Sequence, residues 1–137
     1  MLTYKFSIEK KITFIIGHLK YFKGPFIPFD KQILNFFNIL SKEIFEDKNA
    51  KKYPDLIAFA FWCRISNILK ISKKYDLYKR FGRGTILHIP PSNVPTNFAY
   101  SLIFGMLSGN NNLVRLPEKN FEQVNIFIKI LKKLKKK

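Results

Sequence analysis

Apolar side chains recur at helical spacing through the first half of the chain. After Asp30 they fall every third or fourth position, which predicts an amphipathic helix over residues 30–45 with Asp30 as its N-cap: Ile33, Phe36, Phe37, Leu40 and Ile44. A polar loop over residues 46–52 follows. Pro54 and Asp55 then open a second predicted helix. Its wide apolar stripe continues toward Tyr75 and contains Ile57, Ala60, Phe61, Ile65, Ile68 and Leu69.

The pattern changes after Gly82 and Gly84. Residues 85–89 form a short, almost unbroken apolar run with β-branched side chains, as is typical of a buried parallel strand, and Pro90 and Pro91 end it. Residues 97–107 then predict a helix closed by Gly109 as C-cap, with its apolar face on Phe98, Leu102, Ile103 and Met106.

A second strand and a last helix complete the pattern. Residues 113–116 are apolar enough for a short strand that Pro117 ends. Asn120 with Gln123 has the spacing of a capping box for a helix over residues 121–134. The order strand, helix, strand, helix indicates the start of a doubly wound α/β fold, whose crossover helices cover parallel strands.

We therefore predict an α/β fold with two parts. Residues 1–80 form a mainly helical N-terminal region, and residues 81–137 form the first half of a dinucleotide-binding domain with a Rossmann-like parallel sheet. The sheet is incomplete, because two strands are too few to bury their apolar residues Ile86, Ile89, Leu113 and Val114. We expect the chain to be the front part of a larger fold, or to complete its sheet with another chain.

Composition favours a folded protein without a membrane span. Of the 137 residues 47% are hydrophobic and 16% aromatic, which argues against intrinsic disorder. The longest strongly apolar runs, residues 56–63 and 102–107, are far shorter than the roughly 20 residues that cross a bilayer. Residues 1–11 show no signal-peptide pattern, so we expect a cytoplasmic protein.

The net charge of +16 raises the question of nucleic-acid binding, since Lys and Arg bind phosphates without sequence recognition. The basic residues are 21 Lys against 4 Arg, and the chain is also rich in Asn, Ile and Phe, all with A/T-rich codons. Most Phe residues fall on predicted core stripes and not beside basic clusters where bases could stack. We interpret the charge as a solvated surface. A basic nucleic-acid-binding module and a non-catalytic interaction subunit remain the alternatives.

Cysteine and histidine usage indicates neither a disulfide nor a metal site. Cys63 is the single cysteine, and His18 and His88 lie 70 residues apart. Cys63 lies beside the apolar stripe of the second helix, which predicts a small buried hydrophobic residue and not a nucleophile.

Polar side chains follow both predicted strands. Ser92 and Asn93 come after the first strand, and Arg115 and Glu118 lie at the end of the second. In open α/β folds ligands bind outside the carboxyl ends of the strands. Glu118, 25 residues beyond Asn93, has the spacing of an acid that holds ribose hydroxyls, and Arg115 suits a phosphate, including the 2′-phosphate of NADP. The simpler alternative is a turn-forming Asn93 and a pair of surface charges.

Residues 83–119, "RGTILHIPPSNVPTNFAYSLIFGMLSGNNNLVRLPEK", resemble the cofactor-domain signature of the fatty acyl-CoA reductases of bacterial luminescence systems, within the aldehyde dehydrogenase superfamily. Residues 53–70, "YPDLIAFAFWCRISNILK", resemble the helix upstream of that signature. The resemblance covers about residues 53–127. It implies reduction of an acyl-CoA to an aldehyde by NADP (or NAD) in its reduced form, through a thioester on a cysteine.

The resemblance also implies roles for individual residues. Asn93 matches the asparagine whose amide donates to the thioester oxygen. Arg115 falls where the superfamily usually has a lysine that contacts the adenosine ribose, and Glu118 falls on its ribose-binding acid. The turn that lines the cofactor matches Pro91, Ser92, Val94 and Pro95.

In that family the nucleophilic cysteine lies far downstream of the asparagine motif, outside these residues. We therefore expect an N-terminal part of the enzyme that is inactive by itself. An acyl-CoA is the implied substrate in the full-length context, and a complementary C-terminal chain is a candidate partner.

Overall fold

The computed structural model describes residues 13–18 and 24–135. Residues 1–11, where the absence of a signal peptide was predicted, and the C-terminal Lys136 and Lys137 lie outside this part. The described residues form five α-helices, one 3₁₀ turn over Ala50–Lys52 and a two-stranded parallel sheet, which confirms an incomplete α/β fold. The elements are α1 Lys31–Glu46, α2 Pro54–Trp62, α3 Ile65–Ser72, β1 Thr85–His88, α4 Asn97–Leu107, β2 Asn111–Val114 and α5 Glu122–Lys135.

The first predicted helix is confirmed almost to the residue. The Asp30 carboxylate accepts a hydrogen bond of 2.8 Å from the Gln32 N–H, as an N-cap does, and α1 ends at Glu46. The helix packs against α2 and α5. Its buried apolar face consists of Leu34, Phe37, Leu40 and Ile44.

The prediction of one continuous helix from Pro54 toward Tyr75 is wrong. The chain leaves the helix after Trp62 and begins a new one at Ile65, so the two segments bury different faces. The buried residues are Leu56, Phe59, Ala60, Cys63 and Ile68, whereas three members of the predicted stripe are exposed: Phe61, Ile65 and Leu69.

Both predicted strands are present and parallel, joined by α4 as the crossover helix. The second strand begins at Asn111, two residues before the predicted start. It ends at Val114, two residues before the predicted end at residue 116. The main-chain ladder explains this shift, because the Asn111 N–H donates to the Gly84 carbonyl oxygen at 2.8 Å. Two asparagines therefore occupy strand positions that apolarity alone did not indicate.

One hydrophobic core joins the helices of both halves of the chain. The rings of Phe59 and Phe98 both pack edge-on against Phe127 of α5, with centroids 5.3 and 5.4 Å away. The predicted capping box is wrong, since the Asn120 side chain accepts from the Asn125 amide and α5 begins at Glu122. The division predicted between residues 80 and 81 stays a prediction.

The sheet has one covered face. His88 of β1 directs its ring toward α4, where it contacts Ser101. The alternate positions Leu87 and Ile89 are 58% and 64% exposed, so within residues 24–135 no element covers them. This agrees with the expectation that two strands cannot bury their own apolar side chains.

The segment before α1 is tied to the amino-terminal end of the sheet by main-chain groups. The Phe26 N–H donates to the Gly109 carbonyl oxygen and the Gly82 N–H donates to the Phe26 carbonyl oxygen, both at 2.9 Å. Gly109 has a φ of +79°, and a Cβ atom there would overlap the Phe26 carbonyl group. Gly109 therefore ends α4 as predicted, and its missing side chain also leaves room for the main chain of Phe26.

Candidate functional site

The carboxyl ends of the two strands lie side by side. β1 ends at His88 and β2 ends at Val114, which are partners in the parallel register. The N–H of Arg115, the first residue after β2, donates to the His88 carbonyl oxygen at 3.0 Å. The segments that leave both strands therefore start from the same edge of the sheet.

The segment that follows β1 is a compact turn. Pro90 and Pro91 have no N–H to continue the ladder, and α4 starts at Asn97. Within this turn the side chain of Asn93 is exposed, and the Asn97 N–H donates to the Val94 carbonyl oxygen at 3.4 Å. Of the other residues predicted here, Pro91, Ser92 and Val94 are exposed and Pro95 is partly buried.

The segment that follows β2 carries an ion pair. Arg115 Nη2 donates to Glu118 Oε1, and the side chains are 51% and 79% exposed. An exposed pair of this kind contributes at most about 1 kcal/mol to stability. The structure thus brings Arg115 and Glu118 together, while Asn93 lies on the turn after the neighbouring strand.

A polar network beneath this edge was missed by the sequence reasoning. The His88 ring lies 2.7 Å from Ser101 Oγ on α4 through Nδ1 and 2.8 Å from Asn112 Oδ1 on β2 through Nε2. The Asn112 amide in turn donates to the Asn110 carbonyl oxygen at 2.7 Å. The sequence feature that could have indicated this network is a histidine at the end of one predicted strand and a run of asparagines just before the next strand.

The network depends on a close approach between α4 and the sheet. A Cβ atom at Gly105 would overlap Asn112 Oδ1 and lie 2.7 Å from His88 Nε2. Only glycine therefore allows the helix to lie directly against these polar groups.

Cys63 is buried, as predicted. It is fully inaccessible, and burial raises the pKa of its thiol far above the ordinary range. Burial is also the main cause that raises the pKa of Tyr100, which packs edge-on against Phe59 and Trp62. A thiol that stays protonated at neutral pH is a poor nucleophile, so Cys63 has a packing role.

Grooves elsewhere on the surface do not coincide with the strand edge. A groove of about 550 Å³ lies between α1 and α5 and includes the 2.5 Å ion pair of Lys133 with Glu43. Among residues 13–18 and 24–135, no cluster of three or more His, Cys, Asp and Glu side chains is arranged to hold a metal ion. In the same residues no helix is both long and apolar enough to cross a membrane.

Comparison with known protein families identifies a match. The family described as acyl-CoA reductase (LuxC) matches residues 67–137, which include β1, α4, β2 and α5. No curated protein and no solved structure matches the chain. The family match covers just over half of the 137 residues and contains every predicted site residue. The chain belongs to the acyl-CoA reductase (LuxC) family.

Proposed function

We propose that this chain forms the cofactor-binding and oxyanion-donating part of an acyl-CoA reductase that uses NADPH. The observation that carries the proposal is the hydrogen bond from the Arg115 N–H to the His88 carbonyl oxygen. It joins the two strand ends, so that the Asn93 turn and the Arg115–Glu118 segment leave from one edge. In α/β folds of this kind that edge is where ligands bind.

Asn93 is the residue that would act on the substrate. Its amide is exposed on a turn held by prolines and by the start of α4. An amide N–H group directed at a thioester oxygen stabilises the negative charge that develops there when the carbonyl carbon is attacked. A rigid turn serves this role because the donor need not reorganise during the reaction.

Arg115 and Glu118 fit the cofactor. A guanidinium group has five N–H donors, and the contact with Glu118 uses one of them, so Arg115 also suits a phosphate. The exposed carboxylate of Glu118 suits a ribose hydroxyl. The reduced nicotinamide would supply the two electrons of the reduction.

The nucleophile would come from outside these 137 residues. Cys63 is buried on the helical side of the core and its thiol stays protonated at neutral pH. We propose that a cysteine of a complementary segment, in the same polypeptide or in another chain, forms the thioester. The chain by itself should produce no aldehyde from an acyl-CoA and NADPH.

The test completes the chain by fusion to the C-terminal part of another acyl-CoA reductase and measures aldehyde formation and NADPH affinity separately. Asn93→Ala should slow acyl transfer by about 10² to 10³ while NADPH binding changes little, since an oxyanion donor acts mainly in the transition state. Arg115→Ala should weaken NADPH more than NADH. Asn35→Ala and Arg80→Ala, both at exposed positions, are the matched controls.

Two results would contradict the proposal. If Asn93→Ala and Arg115→Ala caused the same small loss as the controls, both would be surface residues of a turn and an ion pair. If the unfused chain produced aldehyde, and Cys63→Ser abolished the activity, the assignment of the nucleophile to another segment would be wrong.

A second candidate function has one observation in its favour. Tyr75, Tyr78 and Phe81 are strongly exposed and alternate with basic residues, among them Lys79 and Arg80. Exposed rings among basic side chains suit single-stranded nucleic acid. Retention of the chain on single-stranded DNA that persists in moderate salt, and that Tyr78→Ala with Phe81→Ala abolishes, would support this function. Retention that the double variant leaves unchanged would reflect net charge alone.

A further inference from the structure

We propose that His88 is a positioning residue, whose ring sets the placement of the Asn93 turn relative to the Arg115–Glu118 segment. This inference rests on the proposed function for its catalytic consequence. Its structural part concerns only contacts within the chain and is tested independently below.

The His88 ring ties together the three elements that border the strand edge. His88 is the last residue of β1, just before the Asn93 turn. Ser101, its partner through Nδ1, lies on α4, the helix that follows the turn. Asn112, its partner through Nε2, lies on β2, the strand that leads to Arg115. Each ring nitrogen therefore secures a different side of the site.

The partners determine which ring nitrogen carries the proton. The Asn112 amide nitrogen donates to the Asn110 carbonyl oxygen, so the Asn112 oxygen faces the ring. An oxygen acceptor requires a donor, which places the proton on His88 Nε2. Nδ1 then accepts the hydrogen of the Ser101 hydroxyl. The network is complete with a neutral ring in the Nε2–H tautomer.

The surroundings hold the ring in this arrangement. Gly105 places the main chain of α4 directly against the ring and the Asn112 side chain, with no room for even a methyl group. The main chain of His88 adds a second tie, because its carbonyl oxygen accepts from the Arg115 N–H. A displacement of His88 would therefore move both the turn and the residue that follows β2.

Two substitutions separate the two sides of the network. The amide nitrogen of glutamine reaches about as far as Nε2, so His88→Gln should keep the Asn112 contact and lose the Ser101 contact. The oxygen of asparagine reaches about as far as Nδ1, so His88→Asn should keep the Ser101 contact and lose the Asn112 contact. The first change loosens α4 and the Asn93 turn, and the second loosens β2 and the residues after it.

In the completed enzyme these variants should fail in different ways. We expect His88→Gln to lower kcat about threefold to tenfold with little change in KM for NADPH, and His88→Asn to raise that KM by a similar factor with a smaller change in kcat. His18→Gln replaces the only other histidine of the chain and is the matched control. Equal changes in kcat and KM for both His88 variants, or values like those of the control, would overturn the proposal.

A second measurement uses the unaltered 137-residue chain and needs no cofactor. Nitrogen NMR of its two histidines should show one ring locked as the neutral Nε2–H tautomer, absent from His88→Gln. A His88 ring that is protonated on Nδ1, or that exchanges between tautomers, would contradict the geometry.

Amide exchange separates this inference from the proposed function. His88→Asn should accelerate exchange of the Arg115 N–H by about threefold or more, whereas His18→Gln should not. If the completed wild-type protein produced no aldehyde, the proposed function would fail and the exchange rates would still decide the role of His88. Unchanged Arg115 exchange in His88→Asn would refute the positioning role even in an active enzyme.

Discussion

The hydroxyl group of Ser41 on α1 donates a buried hydrogen bond of 2.7 Å to the carbonyl oxygen of Ala60 near the end of α2. Because α2 ends at Trp62, the last carbonyl groups of this helix have no regular intrahelical donors. The Phe59 carbonyl accepts from the Cys63 N–H, which leaves Ala60 to a side chain of another helix. Ser41 of α1 thus caps the C-terminal end of α2 and stabilises it.

Ser41→Ala should lower the free energy of unfolding by about 1 to 3 kcal/mol, because the buried Ala60 carbonyl loses its donor. Urea denaturation measures the loss. Ser72→Ala is the matched control, since the Ser72 hydroxyl donates to the Leu69 carbonyl of its own helix on the exposed surface. It should change stability by less than about 0.5 kcal/mol. Equal effects of the two substitutions would show that the Ala60 contact contributes nothing specific.

Gly105→Ala should destabilise the fold by about 1 to 3 kcal/mol, although alanine is the better helix former. The added methyl group would overlap Asn112 Oδ1, so the Asn112 side chain has to move and its hydrogen bond with the His88 ring is lost. Gly24→Ala is the control, because a Cβ atom there meets nothing within 4 Å and the backbone needs no positive φ. It should be neutral or slightly stabilising. Thermal unfolding compares the two, and a stabilised Gly105→Ala variant would mean that the helix and sheet are not in close contact.

Burial of Cys63 should make stability fall at alkaline pH. In the unfolded chain the thiol ionises near its ordinary pKa of about 8.5, whereas in the folded chain its pKa is raised by burial. The contribution of the buried, protonated thiol to the free energy of unfolding is fully present below about pH 8.5. Above it the unfolded state binds fewer protons than the folded state, so this thiol lowers the free energy of unfolding by up to about 1.4 kcal/mol per pH unit.

The matched comparison for this pH dependence is Cys63→Ala, measured by denaturant titration between pH 8.5 and 9.5. The free energy of unfolding should fall less steeply with pH in the variant than in the wild type. At about pH 8.5 the variant is also less stable than the wild type, because a small cavity forms where the sulfur was. Identical slopes in both proteins would contradict the burial of the thiol. Alkylation offers a second check, since iodoacetamide should modify Cys63 only when the chain unfolds.

The uncovered face of the sheet should make the isolated chain self-associate. Leu87 and Ile89 are exposed side by side on this face. Replacing both by Thr puts a β-branched side chain suited to a strand at each position and removes apolar area, so the sedimentation profile should shift toward monomer. Ile27→Thr changes a similarly exposed isoleucine of the segment at the opposite, amino-terminal end of the sheet and should have no such effect. A wild-type chain that sediments as a sharp monomer would contradict the prediction.

Much of the fold follows from local pattern. Asp30 and the apolar spacing after it predicted α1, and the prolines after His88 predicted where β1 ends. The break after Trp62 could not be predicted, because Ser41, which donates to Ala60 at this helix end, lies 19 residues before Ala60 in sequence. Tertiary contacts of this kind override a continuous apolar stripe.

The candidate site also has one part that the sequence predicts and another that depends on tertiary contacts. That Asn93 and Arg115 follow parallel strands is apparent from strand order, and their catalytic and cofactor roles stay predictions. The Arg115–Glu118 ion pair fits their spacing of three residues. The role of His88 depends on side chains from two other elements and on the missing side chain of Gly105, which no local pattern encodes.

The main-chain tie between Phe26, Gly82 and Gly109 has a consequence for how the chain reaches its native state. The bond between Phe26 and Gly109 closes a loop of more than 80 residues, which costs about 1 kcal/mol more chain entropy than closing the shorter loop that pairs β1 with β2. Its acceptors on that unit exist only after α4 has ended and β2 has paired with β1. Residues 24–29 should therefore dock late during folding, and their amide protons should exchange before those of the β1–α4–β2 unit in the native protein.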